Sequence, residues 1–544
     1  MQDLGEGRRP GRPAASVSAM WFETATFYEI PVHAFFDANG DGIGDIAGIT
    51  AKLDYLQWLG VDCVWLLPFY PSPMVDGGYD ISDLTGVRAE FGTLEDVGVL
   101  LDEIHRRGMR AMADVIVNHT SDQHPWFQEA RRPGSDKRDW YVWSEDPGRY
   151  PDARVIFIDT QESNWAWDEV AGAYYWHRFY AEQPDLNFDN PEVREAVKDV
   201  VRFWLDLGFD ALRLDAIPYL YERDGTICEN LPETHAYLKE IRAMIDAEYE
   251  DRMMVAEANQ PPADVVAYFG DGDECHMAYH FPIMPPLFMA LKREDVGDIL
   301  KALEATPPIP SGAQWGVFLR NHDELTLEMV TEADRAFMYA EYTPDPAMRK
   351  NVGIRRRLMP LLDNDRSRFE LLYGVLLSLP GSPFLYYGDE IGMGDEYLLN
   401  DRDGVRTPMQ WEAGERAGFS EADPASFYLP LVTDPAYISD LVNVADQHAQ
   451  ADSLLHWVRS LLHARRLLPV LGTGQFESLD TGDRAVLGYR RWNEDVEVTV
   501  LANFSTVTRM VPLAAHQVDL RSGAIYRADV ELAAHQFVWL EPSR

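Results

Sequence analysis

Four short segments, in this order along the 544-residue chain, most constrain its fold: Asp114–His119, Gly208–Asp215, Val255–Asn259 and Phe318–Asp323. Each is an apolar, strand-like run that ends in ionisable residues, and long helical stretches separate them. This arrangement predicts an α/β fold, a parallel (β/α)8 TIM barrel whose chemistry collects at the C-terminal ends of the strands. Residues i and i+2 of a strand share a face, so Arg213 and Asp215 both point to the barrel mouth. There a guanidinium can keep a carboxylate ionised and oriented. Three carboxylates (Asp215, Glu257, Asp323), delivered with His119, His322 and Arg213, suit glycosyl transfer, which needs two carboxyl groups flanking a glycosidic bond.

Barrel strands are expected at Phe27–Ile30, Cys63–Pro68, Arg110–Val117, Ala211–Ala216, Met253–Ala258, Cys275–His280, Trp315–Asn321 and Phe384–Gly388. Residues 1–19, rich in Gly, Pro, Arg, Ala and Ser, read as a disordered tail. Residues 20–119 and 188–466 supply the barrel. The segment 120–187 is too long for a loop and reads as an inserted subdomain over the mouth after strand 3. A charged, partly helical insertion is expected at about 325–368. From 467 to 544, short alternating runs such as Val496–Leu501 predict a C-terminal antiparallel β-sandwich domain.

Ninety acidic against 48 basic residues give a formal charge of −42, which excludes nucleic acid and anionic membrane surfaces as natural partners. A neutral sugar is indifferent to that field. Cys63, Cys228 and Cys275 lack CxxC spacing and read as buried free thiols. No signal-peptide core and no run of 18 apolar residues is present, so a cytoplasmic location is expected.

The four segments resemble the sequence regions of the α-amylase superfamily of retaining glycoside hydrolases and transglycosylases. From about Trp21 to Ser420 the chain is similar, more narrowly, to the trehalose synthase (maltose α-D-glucosyltransferase) family. Phe35–Asp45, Leu66–Pro73, Ala173–Arg178, Asn230–His235, Tyr268–His276 and Asp403–Trp411 carry that narrower likeness. The resemblance implies that Asp215 is the nucleophile, Glu257 the general acid/base and Asp323 the carboxylate that binds sugar hydroxyls in the distorted transition state. It implies that His119 and His322 donate hydrogen bonds to the same sugar. Tyr79 would stack on that sugar, while Asp80 pairs with Arg406 to close the pocket floor. Asn259 and Glu324 would contact the second glucose. Leu84 stands where the family pattern leads one to expect an aromatic residue.

Asp37, Asn39, Asp41, Ile43 and Asp45 place oxygen ligands at alternate positions, like the start of an EF-hand loop. The twelfth position, where a bidentate Glu would close that loop, is Gly48, so the reading is a compact Ca2+ or Mg2+ loop closed by Asp45, or else a metal-free cluster of Asx turns. The resemblance implies a second, structural Ca2+ near Asn118 and Asp185, with Tyr219, Leu220 and Glu222, and no organic cofactor. It implies reversible isomerisation of a disaccharide, maltose to trehalose, with minor hydrolysis. Trp140, Trp143, Trp165, Trp167, Tyr174, Tyr175 and Trp176 are either a lid that excludes water or an ordinary aromatic core. An exo-acting α-glucosidase with the same residues in a wetter site is the alternative. A sugar-binding protein without catalysis has no need of a nucleophile. Homo-oligomerisation is left open, and association with a maltokinase is suggested by analogy alone.

Overall fold

The computed structural model describes residues 20–543, so the tail expected at 1–19 lies outside the described residues. Eight strands close a barrel: β1 Phe27–Ile30, β2 Cys63–Leu66, β3 Arg110–Ile116, β4 Ala211–Asp215, β5 Met253–Ala256, β6 Met277–Tyr279, β7 Gln314–Phe318 and β8 Ser382–Tyr386. They pair in parallel in the order β1-β8-β7-β6-β5-β4-β3-β2. Almost every strand residue is buried, because helices cover the outside and side chains fill the inside. Several strands stop short of the expected ends: β2 at Leu66, β5 at Ala256 and β7 at Phe318. The polar residues that follow leave the hydrogen-bonded ladder and turn into the mouth.

The covering helices show why these sequences fold as they do. Leu94–Arg106 starts at a capping box of Thr93 and Asp96, buries Val97, Leu100, Leu101 and Ile104 at helical spacing, and ends on His105 and Arg106. Pro191–Leu207 starts from the Asn190 cap with Pro191 at its first position, and stops at Gly208, whose φ of 123° only glycine adopts freely. It delivers the chain directly into β4.

In the inserted segment, Trp143–Ser144, Ala173–Trp176 and Trp165–Asp168 form a three-stranded antiparallel sheet. A bridge from His119 to Asp185 ties its end back to the barrel, and one from Tyr141 to Leu186 joins two parts of the insertion. Trp165 and Trp176 pack with Val142, Tyr150 and Cys228. The second insertion is partly helical, with helices Glu332–Tyr342 and Leu358–Leu361, and carries a ribbon of Leu325–Thr326, Gly353–Ile354 and Arg349–Lys350. Gly353 has to be glycine in that ribbon, since a Cβ there would lie 2.6 Å from Glu324 Cγ.

At the C-terminus, a six-stranded antiparallel sheet spanning 475–542 faces a two-stranded one, Arg509–Pro512 with Asp529–Leu532. Val486, Leu501, Val511, Val530, Leu532, Val538 and Leu540 form the core between them, as expected of a small sandwich. All three cysteines are buried free thiols. Among the described residues, no helix is long and apolar enough to cross a membrane.

Candidate active site

The register of β3 against β4 sets Asp114 beside Arg213 and Ile116 beside Asp215. Arg213 is fully buried, and its Nη1 donates to Asp114 Oδ1 at 2.7 Å and to Asp215 Oδ1 at 2.6 Å. Its Nη2 pairs with Glu257 Oε1. The other Glu257 oxygen accepts from the main-chain N–H of Ala216 at 3.1 Å. Ala216 adopts a left-handed φ of 53°, an unfavourable conformation for alanine that turns its N–H toward the acid. One guanidinium therefore serves three carboxyl groups. Burial pushes Asp215 and Glu257 up to about 7, against the pull of Arg213, and pushes Asp114 up to about 6. With more acids than cations around Arg213, the site holds a proton at neutral pH. That is the condition for one carboxyl to act as acid while its neighbour stays ionised.

Asp323 is the opposite case. Burial raises its carboxyl, but His322, Arg402, Arg406 and Arg213 outweigh burial and hold it well below the usual carboxylate range. Its Oδ1 accepts from Arg402 Nη1 at 3.1 Å and from Arg406 Nη2 at 3.2 Å.

The pocket floor differs from expectation. Asp80 and Arg406 do not pair: Asp80 accepts from the Ser72 hydroxyl and from the N–H groups of Val75 and Asp76, so it organises the turn that carries Tyr79. Arg406 donates to the His322 carbonyl and to Asp323. The buried pair is instead Asp76 with Arg402, at 2.5 Å, and both residues line the cavity. Asp76 and Arg402 lie in the same sequence stretches as the expected partners, four residues upstream in each. A four-residue offset within a loop leaves no periodic signal, so the sequence could not choose between the two pairs.

Tyr79, His119, Asp215, Glu257, Asn259, Asp323 and Glu324 all line one cavity. Tyr79 stacks on His322 with ring centres 5.3 Å apart and donates to Asp114 Oδ2 at 2.8 Å. His119 lies 3.2 Å from the Tyr79 carbonyl. Asn259 donates to Glu328 at 2.8 Å and Glu324 accepts from Asn351 at 3.0 Å, so both are steered by the second insertion. His322 does not line the cavity. It is wholly buried, and its Nε2 faces Tyr79 Oη at 2.8 Å and Asp323 Oδ2 at 3.2 Å.

The aromatic residues of the insertion, which the sequence leaves as either a lid or a core, do not cover the pocket. Trp140, Trp165, Tyr175 and Trp176 are buried within the insertion, and none of the seven aromatics named above faces the cavity. Ile156, Phe157 and Phe179 roof it from one side and Thr326 and Glu328 from the other. Arg154 bridges the two covers, meeting Glu328 and Glu229 at 2.9 Å each.

The two expected metal regions differ. In the loop at 37–45, Asp37 accepts from the N–H groups of Gly40 and Gly42, Asn39 from that of Asp41, Asp41 from that of Ile43, and Asp45 from those of Ala38, Asn39 and Gly48. These are the hydrogen bonds of a series of Asx turns. In the other region Asn118 Oδ1, Asp185 Oδ2 and Glu222 Oε1 are buried without any partner. Burial pushes Asp185 up to about 8, and burial together with Asp185 raises Glu222 further. Two carboxylates and an amide oxygen fit a hard, oxygen-seeking cation. Among the described residues no group of three or more His, Cys, Asp or Glu could hold a metal, so a site here would need the Asn118 amide oxygen beside the two carboxylates.

Comparison with known proteins places this geometry in context. The model of the α-amylase catalytic domain matches residues 30–343 and 355–474. The chain is 60% identical to the trehalose synthase/amylase TreS of Mycolicibacterium smegmatis over 476 residues, 87% of this chain and 80% of that protein. It is 56% identical to a trehalose synthase of a Pimelobacter species, covering 87% of this chain and 84% of the relative. A crystal structure of a trehalulose synthase variant superposes with a TM-score of 0.80 at 29% identity, over 96% of this chain and all of that one.

Proposed function

The chain belongs to the α-amylase family, and from that premise we propose that it is an isomerising transglucosylase interconverting maltose and trehalose. The observation that carries this reading is the cavity itself. The three acids open into a pocket closed at one end by the Asp76–Arg402 pair and roofed from two insertions, which suits a terminal glucose plus one further sugar.

The Asp215 carboxylate attacks the anomeric carbon of the non-reducing glucose while Glu257 gives its proton to the glycosidic oxygen. The C–O bond breaks, leaving a glucosyl ester on Asp215 and a free glucose. The free glucose turns within the roofed pocket. Its anomeric hydroxyl then attacks the anomeric carbon of the glucosyl ester, Glu257 takes the hydroxyl proton, the bond from that carbon to Asp215 breaks, and Asp215 leaves as carboxylate. Two inversions give net retention and an α,α-1,1 bond. Arg213 keeps Asp215 ionised and positioned, and the anionic Asp323 favours the positively charged, oxocarbenium-like transition state. Phe157, Phe179, Asn259, Glu324 and Glu328 surround the place of the second sugar and exclude water, which separates transfer from hydrolysis. Asn118, Asp185 and Glu222, with the carbonyls of Tyr219 and Leu220, would hold a Ca2+ whose charge offsets the buried acids and fixes the inserted segment to the barrel.

Proton NMR of the purified protein incubated with maltose tests the proposal. An α,α-1,1 anomeric signal growing with little free glucose supports the isomerase. Glucose accumulating without that signal overturns it in favour of an α-glucosidase.

A further inference from the structure

Glu29 is a charged-type residue inside the barrel that the mechanism above does not use. It sits on β1 among apolar neighbours, 1% exposed, and its Oε1 meets His322 twice: the main-chain N–H donates to it at 3.2 Å, and the ring Nδ1 contacts it directly. A buried carboxyl at this depth needs an explanation.

The hydrogen-bond inventory supplies one. Tyr79 has a single hydroxyl hydrogen, and Asp114 Oδ2, 2.8 Å away and part of the carboxyl paired with Arg213, can only accept it. Tyr79 therefore cannot donate to His322 Nε2, which also lies 2.8 Å from its hydroxyl. Asp323 Oδ2, 3.2 Å from the same Nε2, is a carboxylate and likewise needs a donor. Both neighbours require Nε2 to carry the hydrogen. Burial, with the charges of Arg406, Arg213 and Arg402 nearby, disfavours a second ring proton despite the pull of Asp323, so Nδ1 is left bare and must accept. Its neighbour is Glu29 Oε1, and burial, with Asp323 and Asp114 adding to it, keeps that carboxyl protonated against the His322 N–H and Arg213. Trp65, edge-on to His322, and Arg406, donating to the His322 carbonyl, hold the ring in place without offering Nδ1 a partner.

We propose that Glu29 is a positioning residue for the reaction: as a neutral acid donating to Nδ1 of His322, it fixes the imidazole as the Nε2–H tautomer aimed at Tyr79 and Asp323. It thereby orients the carboxylate that faces the transition state and the ring that forms the cavity wall. The consequence for rate rests on the role given to Asp323 above; the tautomer does not.

Two measurements test this. In protein labelled with 15N-histidine, with the His322 resonance assigned by its loss in His322→Gln, the expected spectrum is a protonated Nε2 and an unprotonated Nδ1 at neutral pH without substrate. An imidazolium or an Nδ1–H tautomer overturns the proposal, whatever the enzyme's substrate proves to be. In kinetics, Glu29→Gln, whose amide can still donate to Nδ1, should stay within about threefold of the parent kcat. Glu29→Leu, similar in size but unable to donate, should lose roughly 10- to 100-fold in kcat with little change in KM, less than when a histidine that itself moves a proton is held in the wrong tautomer. Hydrolysis of an aryl α-glucoside, measured alongside maltose conversion, reads the same loss if the protein is a glucosidase. Equal kcat for Leu and Gln variants of parental stability overturns the positioning role.

Discussion

Two acidic clusters lie within one barrel, and they are balanced differently. At the mouth, Asp76, Asp114, Asp215, Glu257 and Asp323 are interleaved with Arg213, Arg402 and Arg406, and their oxygens are occupied by guanidinium and main-chain donors. Beside the inserted sheet, Asp185 and Glu222 face Asn118 with oxygens that meet nothing, and Arg178 gives its Nη2 to Glu229 instead, at 2.8 Å. The first cluster carries its own countercharge, from Arg213 on β4 and from Arg402 and Arg406 in the loop after β8, so its geometry persists without ligand and is ready to react. The second lacks such a countercharge, so the cation proposed there would supply it and would make the cluster sensitive to solution conditions. The acidic loop at 37–45 is a third arrangement, in which main-chain N–H groups donate to the carboxylates.

Breaking the self-balanced cluster should have the largest effect. Asp215→Ala removes the nucleophile and should lower maltose turnover by at least about 10⁴-fold. Thermal unfolding should show the protein no less stable, because a buried acid competing for Arg213 is gone. A variant that keeps turnover within tenfold would place the nucleophile elsewhere. Next comes Glu257→Gln, with an expected loss of roughly 10²- to 10⁴-fold for substrates with poor leaving groups. Since Asp215 and Glu257 are both pushed up to about 7, the parent kcat/KM should follow a narrow bell with both limbs near neutrality. The limbs report the coupled pair rather than single residues. The alkaline limb, loss of the proton needed by the leaving group, should vanish in the Gln variant while the acid limb persists.

The externally balanced cluster should give the smallest effect, visible in stability rather than chemistry. Asp185 titrates near 8 when folded and near 4 when unfolded, so without cation the folded state binds the extra proton. Stability is then fully present below about pH 4 and falls as pH rises toward 8. Calcium, which takes the ionised form, should flatten that slope and raise the melting temperature by roughly 2–5 °C at pH 8, with less effect at pH 5. Glu222→Gln should remove most of the calcium response. A melting temperature indifferent to chelator and calcium at pH 8 would dissolve the contrast between the clusters.

Much of the architecture was legible in the chain. The alternation of apolar strand runs with capped, amphipathic helices dictates eight parallel strands, because each run is too apolar to face water and each helix has one apolar stripe to cover it. The positions of Asp215, Glu257 and Asp323 followed from those strands, since the ends of barrel strands open on one face. The partners of these acids did not follow. Asp76 and Arg402 lie 326 residues apart, and nothing in their spacing separates them from Asp80 and Arg406, four residues downstream of each. The roof was left undecided for a related reason. Aromatic content marks a segment that will bury surface, but it does not say against what. Here Trp165 and Trp176 bury against each other, while Phe157 and Phe179 reach the cavity.

By itself the sequence determined the barrel, the order of its strands and the three acids at their ends, because periodicity and strand polarity are local properties that survive without knowledge of distant neighbours. Only the tertiary structure decided which arginine closes the pocket, which side chains roof it, which acids lack a countercharge and why Glu29 stands inside the barrel. Those are pairings between residues far apart in the chain, and a hydrogen bond or ion pair exists only once closure of the barrel has brought its two halves within about 3 Å.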